Sequence, residues 1–354
     1  MRTYRTDRTY RWNYEHGPSF AGPYPPVPAT PMKSFLDLPV RSRFGISAGL
    51  LLNSRWIATY SRLGFDLLTY KTVRSRARRS YPLPNWVLVE ADEPLGPGKS
   101  DAPVYRRRRP ARRPEEWTSA VCFGMPSMAP AVWQADIAAA RSALGDGQVL
   151  LVSVVGTPQG DRLDDLAADF AECARAAAQA GADVVELNLS CPNVASGEGT
   201  LYLDPRAART VVTACRAAIP RTPLLAKIGY LPDVGHAARL LDAVADRVDG
   251  LVMVNAVARP VLDRDGRPVF GPERRRVGVI GAGIHPACVA NFAMVRALRD
   301  RRGLPLALCA VGGVVRPEDA RPYFEEGAAA VFAGGAPMFD PYLAVRLKRR
   351  YPEW

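Results

Sequence analysis

The sequence predicts an α/β protein of the (β/α)8 barrel class, on three observations. Eight short apolar runs alternate with alanine- and leucine-rich helical stretches from residue 43 onward, no GxGxxG turn follows the first run, and reactive side chains recur at the ends of the runs. The runs read as strands at 43–49, 65–70, 149–155, 182–189, 223–228, 249–254, 305–311 and 329–333. Helices are expected near 54–63, 131–144, 163–180, 204–218, 233–246, 285–302, 316–326 and 337–349. Eight such units suit a closed barrel, since an open doubly wound sheet usually has fewer strands and a glycine-rich first turn. Asp204 before Pro205 is an N-cap before a proline at the first helical position, and Glu318 and Asp319 place acids in a first turn.

Two segments fall outside the alternation. Residues 1–40, rich in Pro, Tyr and Arg, are expected to form an irregular arm packed on the barrel bottom or on a second subunit, which leaves 41–354 as the barrel domain. Residues 74–118 form a long insertion after the second strand, with arginines at 74, 76, 78, 79, 106–109, 112 and 113. Loops leaving the carboxyl end of a barrel strand lie on the active-site face, so this insertion is expected to flank or cover the site. A solvated loop with compositional charge is the alternative.

Composition bounds the function classes. With 354 residues, 48% of them hydrophobic, the chain can bury a large core. The net charge of +12 is localised, because residues 1–113 carry 21 Lys and Arg against 8 Asp and Glu and the remainder is near neutral. Only five of the 47 basic residues are lysines, a usage closer to genomic base composition than to a phosphate-binding surface, so nucleic acid is not an expected partner. The six cysteines stand singly, which argues against a disulfide framework or a zinc site. No run reaches about 18 apolar residues and the N-terminus lacks an apolar signal region; a cytoplasmic protein without a membrane partner is expected.

The strand ends carry the chemistry. Lys71 and Thr72 end the second strand, Asn188 the fourth with Cys191, Pro192 and Asn193 just beyond, Lys227 the fifth and Asn255 the sixth. Gly312-Gly313 and Gly334-Gly335 follow the last two strands, where paired glycines let backbone N–H groups approach a phosphate. Lys227 on an apolar strand end would be costly without an anionic or electron-rich partner. Cys191 reads either as an inert buried thiol or as an acid–base group, its pKa near ~8.5 drawn towards neutrality by a cation such as Lys71. His16, His236 and His285 are poorly placed to activate a cysteine nucleophile.

Together with Ser47-Ala48-Gly49, Tyr70-Lys71-Thr72-Val73, Leu225-Ala226-Lys227-Ile228, Val254-Asn255, Ile280-Gly281, Val311-Gly312-Gly313-Val314 and Ala333-Gly334-Gly335, the segment Glu186-Leu187-Asn188-Leu189-Ser190-Cys191-Pro192-Asn193 resembles the dihydroorotate dehydrogenase family from about residue 40 onward. The cysteine resembles the soluble class of that family. The resemblance implies FMN, contacted by Ala48, Gly49, Lys71, Thr72, Asn188, Lys227, Val254 and Gly281, with its phosphate on Gly312, Gly313, Gly334 and Gly335. It also implies a CH–CH oxidoreductase in which Cys191 exchanges a proton and flavin N5 a hydride with a cyclic amide or other carbonyl compound. Lys71, Ser127, Asn188, Asn193 and Asn255 would hold that substrate, and a homodimer is expected. The chain departs from the family at Val121 and Ser127, where asparagines are expected, at Ala256, where a hydroxyl residue is, and in the length of the insertion. Two alternatives stay open: a uracil-ring reductase of the dihydropyrimidine dehydrogenase or tRNA dihydrouridine synthase type, and a flavin-binding barrel without catalysis.

Overall fold

The computed structural model describes residues 2–91, 95–96, 102–158, 160, 162–190 and 197–354. A hairpin of β1 (Lys33–Phe35) and β2 (Leu38–Val40) precedes the barrel. The barrel strands are β3 (Phe44–Ile46), β4 (Leu67–Val73), β8 (Val149–Val154), β9 (Val184–Asn188), β10 (Leu224–Lys227), β11 (Gly250–Met253), β14 (Ala307–Val311) and β15 (Ala330–Ala333). They pair in parallel in that order, and β15 closes on β3. All eight expected strands form, within a few residues of the expected ends.

Helices cover the outside because their apolar residues recur at helical spacing. In α4 (Leu163–Gln179), Leu166, Phe170, Cys173, Ala174 and Ala177 are buried along one stripe. At the start of α5 (Pro205–Ala218) the Asp204 carboxylate accepts from the N–H groups of Arg206 and Ala207 at 3.0 and 3.1 Å. Two expected helices are broken. The stretch near 316–326 begins as a tight 3-10 turn, Pro317–Ala320, before α8 (Arg321–Glu325). The stretch near 337–349 splits into α9 (Ala336–Phe339) and α10 (Leu343–Arg350), since Pro341 has no N–H to continue the ladder.

The arm is irregular over most of its length but carries one short helix and a hairpin. Its last residues are the β1–β2 hairpin, which drives Phe35 and Val40 against Leu67, Val149, Val184, Leu225 and Val252 and closes the amino-terminal end of the barrel. Its first residues lie elsewhere. Thr3 Oγ1 is 2.7 Å from Tyr60 OH, and Tyr4 packs on Trp56, Trp86 and Phe123. The helix α1 (Tyr10–His16), capped by the Thr9 hydroxyl, sets Tyr10 beside Phe123 with ring centroids 5.5 Å apart.

A second closed sheet stands over the carboxyl ends of the barrel strands. The 74–118 insertion supplies β5 (Trp86–Glu90) and β6 (Val104–Arg106) and leads into β7 (Thr118–Val121), while β12 (Val257–Leu262) and β13 (Arg276–Gly281) come from the segment after β11. The order is β12-β13-β7-β5-β6, with β6 parallel to β12 and the other pairs antiparallel. The insertion is therefore ordered structure in its described residues rather than a solvated loop. Among the described residues, no helix is long and apolar enough to cross a membrane.

Because the hairpin plugs the barrel floor with a fully buried ring, Phe35→Ala is expected to cost about 3–5 kcal/mol of stability. Urea unfolding followed by tryptophan fluorescence reads this as a lower midpoint at unchanged slope.

Candidate active site

One cavity gathers the strand ends. Ser47, Ala48 and Gly49 after β3, Lys71 and Thr72 on β4, Asn188 on β9, and Asn255 and Ala256 after β11 line it. So do Gly312 and Gly313 after β14 and Gly334 and Gly335 after β15. The second sheet closes the opposite wall with Trp86, Val121, Gly278, Ile280 and Gly281, and the turn after β7 adds Phe123, Gly124 and Met125.

Polar groups in this cavity are held from beneath. Asn188 Nδ2 donates to Thr72 Oγ1 at 3.5 Å and lies 3.7 Å from Met125 Sδ, while its Oδ1 accepts from the Ser190 N–H at 3.2 Å. Asn255 Nδ2 donates to the Ser190 carbonyl at 2.6 Å, tying the ends of β9 and β11 together. Lys71 is 7% exposed, with its ammonium 4.6 Å from the Phe123 ring centre and 5.7 Å from that of Tyr10. Lys227 is 1% exposed and donates to the Ala48 carbonyl at 3.5 Å. Near it, burial raises the Glu186 carboxyl above the usual range, opposed by the Lys227 charge and a hydrogen bond with Ser153.

Two ends of the cavity offer backbone donors. Gly313, Gly334 and Gly335 line one end, and their N–H groups donate to no acceptor among the described residues. Gly313 sits at φ 76°, and the space a Cβ would need there is taken by His285, the first residue of α7 (His285–Arg301). His285 Nδ1 is 2.9 Å from the Gly312 carbonyl, which puts the ring proton on Nδ1. Near Lys71, the N–H groups of Gly124 and Met125 likewise have no acceptor among the described residues, although both residues are buried. Buried N–H groups left unpaired are costly, so both ends suit ligands rich in acceptors.

The expected residues divide three ways. Ala48, Gly49, Lys71, Thr72, Asn188, Asn255, Gly281 and the four glycines after β14 and β15 come together around the cavity, and Lys227 reaches it from below. Cys191 and Asn193 lie outside the described residues. Val254 and Ser127 are displaced from the lining. The Val254 N–H donates to Val311 within the barrel wall, at 2.5 Å. Ser127, expected to hold substrate, is tied to the turn: its hydroxyl accepts from the Arg74 N–H at 3.1 Å and donates its proton to the Met128 carbonyl at 2.9 Å, which leaves one oxygen lone pair. Trp86, Phe123 and Met125 were not expected as lining. Trp86 opens the apolar run Trp86-Val87-Leu88-Val89, a strand signal that stands outside the eight-strand alternation, and the positive φ of Gly124 and Met125, 76° and 50°, is invisible in the sequence.

Comparison with known proteins gives a consistent picture. The family described as Dihydroorotate dehydrogenase matches residues 123–353. The chain is 32% identical over 357 residues to the dihydroorotate dehydrogenase of Dictyostelium discoideum, covering 97% of this chain and 95% of that protein. It is 28% identical over 169 residues to the dihydroorotate dehydrogenase B (NAD(+)) catalytic subunit of Staphylococcus carnosus, covering 48% of this chain and 52% of the relative. In fold it is similar to the crystal structure of DHODH from Eimeria tenella in complex with ferulenol, with a TM-score of 0.72 at 17% identity, over 92% of this chain and 85% of the other. At 97% coverage, most of the arm and most of the insertion lie inside the Dictyostelium alignment, although the family match begins after them.

Gly313→Ala is expected to destabilise the fold by about 1–3 kcal/mol, since the methyl would displace the start of α7. Gly49→Ala, where a Cβ meets nothing within 4 Å, is expected to stay within about 0.5 kcal/mol. Thermal unfolding of the two variants side by side tests the contrast.

Proposed function

The chain belongs to the dihydroorotate dehydrogenase family, and from that premise we propose that this oxidoreductase uses FMN to interconvert a CH–CH bond beside a carbonyl or amide with the conjugated C=C bond. The observation that carries this reading is the set of N–H groups on Gly313, Gly334 and Gly335 that meet no acceptor among the described residues, at one end of a cavity below which the ammonium of Lys227 is buried. Those donors suit a phosphate, and the lysine suits the electron-rich edge of a flavin. Ser47, Ala48, Gly49, Thr72 and Gly281 would flank the ring, which, when bound, supplies the hydride acceptor.

The rest falls to the chain's own side chains. Cys191 would carry the proton on the carbon α to the carbonyl; it follows Ser190, whose carbonyl accepts from Asn255. Asn188, Asn193 and Asn255 would orient the amide groups. Phe123, Met125, Trp86 and Ile280 exclude water from the reacting bond. Lys71, with the N–H groups of Gly124 and Met125 that meet no acceptor among the described residues, makes a pocket for an anionic group, which supports dihydroorotate, or a related carboxylate, as the substrate. Val121 and Ala256 in place of polar residues leave that substrate fewer side-chain partners.

Anaerobic mixing with two compounds decides. L-dihydroorotate is expected to bleach the flavin, and 5,6-dihydrouracil, which lacks the carboxylate, to do so about 100-fold more slowly, as for loss of a charge-assisted bond worth roughly 2–3 kcal/mol. Faster bleaching by dihydrouracil would instead support a uracil-ring reductase. Lys71→Met is expected to lower kcat/KM for dihydroorotate by about 100-fold on the same grounds. Protein that does not take up FMN would sink the proposal.

A further inference from the structure

Strand β9 carries a carboxyl group that the proposed reaction leaves unused. Glu186 is 1% exposed and stands opposite Ser153 on β8, two residues below Asn188, so it faces the barrel interior under the cavity. Lys227 arrives from the adjacent strand, its Cα paired with that of Asn188. Burial raises the Glu186 carboxyl, and Lys227 and Ser153 pull it back. Its Oε1 is buried without a hydrogen-bond partner. Across the barrel, Cys309 on β14 also feels it, the thiol raised first by burial and then by Glu186.

A line of polar atoms runs from this carboxyl to the cavity. Beyond Ser153, Thr72 Oγ1 donates to Ser153 Oγ at 3.2 Å, and Asn188 Nδ2 donates to Thr72 Oγ1 at 3.5 Å. Thr72 and Asn188 both line the cavity. An acid one layer below the cavity, beside a buried ammonium and joined upward by two hydroxyls, has the means to exchange a proton and to change the field above it.

Resting on the reading that FMN occupies the cavity, we propose that Glu186 is a redox-linked proton site: a positioning residue that sets, through Lys227, how readily the site accepts negative charge, and that exchanges its proton along Ser153 and Thr72. The charges balance. A hydride brings two electrons and one proton, leaving the site one charge more negative. One solvent proton delivered to the Glu186 carboxylate neutralises that charge in full, while Lys227, an ammonium before and after, attracts the added charge without changing the balance.

Spectroelectrochemical titration of the FMN-loaded protein, with a pH indicator to count protons, tests this. Glu186→Gln keeps the shape and removes the charge. It is expected to raise the two-electron midpoint potential by at least about 30 mV, tenfold in the equilibrium constant, and to abolish the extra proton taken up on reduction. Glu186→Asp should restore that proton, and Ser153→Ala should slow its uptake. A midpoint and proton count unchanged in Glu186→Gln overturn the proposal while the flavin reading stands. If the Gln variant does not fold, a rate of proton uptake unaltered in Ser153→Ala overturns the proposal equally. Protein that binds no FMN overturns both readings.

Discussion

Burying the ammonium of Lys227 is the constraint around which this barrel is organised. An unpaired charge in a protein interior costs several kcal/mol, so a lysine on the inner face of a parallel barrel needs neighbours that answer its charge. The lower interior cannot supply them, being filled by Leu67, Leu151, Val184, Leu225, Val252 and Phe332 above the Phe35 plug. The polar groups lie higher: Glu186 on the adjacent strand, Ser153 beside it, the Ala48 carbonyl above, and the Thr72 and Asn188 side chains at the rim. The interior therefore passes from hydrocarbon to a polar layer below the cavity, so the place for chemistry follows from where the core stops being apolar.

The wall opposite the strand ends follows from edge satisfaction. Three strands from the insertion region would leave exposed backbone edges, and β12 and β13 from a segment more than a hundred residues later close them into a small barrel. Some of the arginines that give this region its charge act as staples. Arg74 donates from Nε to the Met125 carbonyl at 3.1 Å and from Nη1 to the Gly156 carbonyl at 2.8 Å, and Arg107 meets Glu116 at 2.7 Å. Arg259, 1% exposed on β12, donates to the Gly96 carbonyl of the insertion. Part of a charge that reads as compositional in sequence is thus spent on holding the turn that carries Phe123, Gly124 and Met125.

The barrel itself was legible because its signal is local. Each parallel strand is buried on both faces and so appears as a continuous apolar run, and each helix shows its own period. The second sheet was not. In β12, Val257, Arg259 and Val261 are buried in alternation, but an arginine inside and Pro260 within the run disguise the period. The arm's place in the core was hidden for a related reason: Tyr4 and Tyr10 are buried because Trp56, Trp86 and Phe123 from distant segments meet them.

The sequence by itself determined the barrel, the strand-end residues Lys71, Asn188, Lys227 and Asn255, and the glycines after the last two strands, because each depends on residue type at a fixed place in a local repeat. Tertiary structure alone decided which of these share a cavity, that Ser127 gives its proton to its own turn, and that the N–H groups of Gly124 and Met125 meet no acceptor among the described residues near Lys71. Those outcomes turn on backbone dihedrals and on contacts between segments far apart in the chain, which no local pattern encodes.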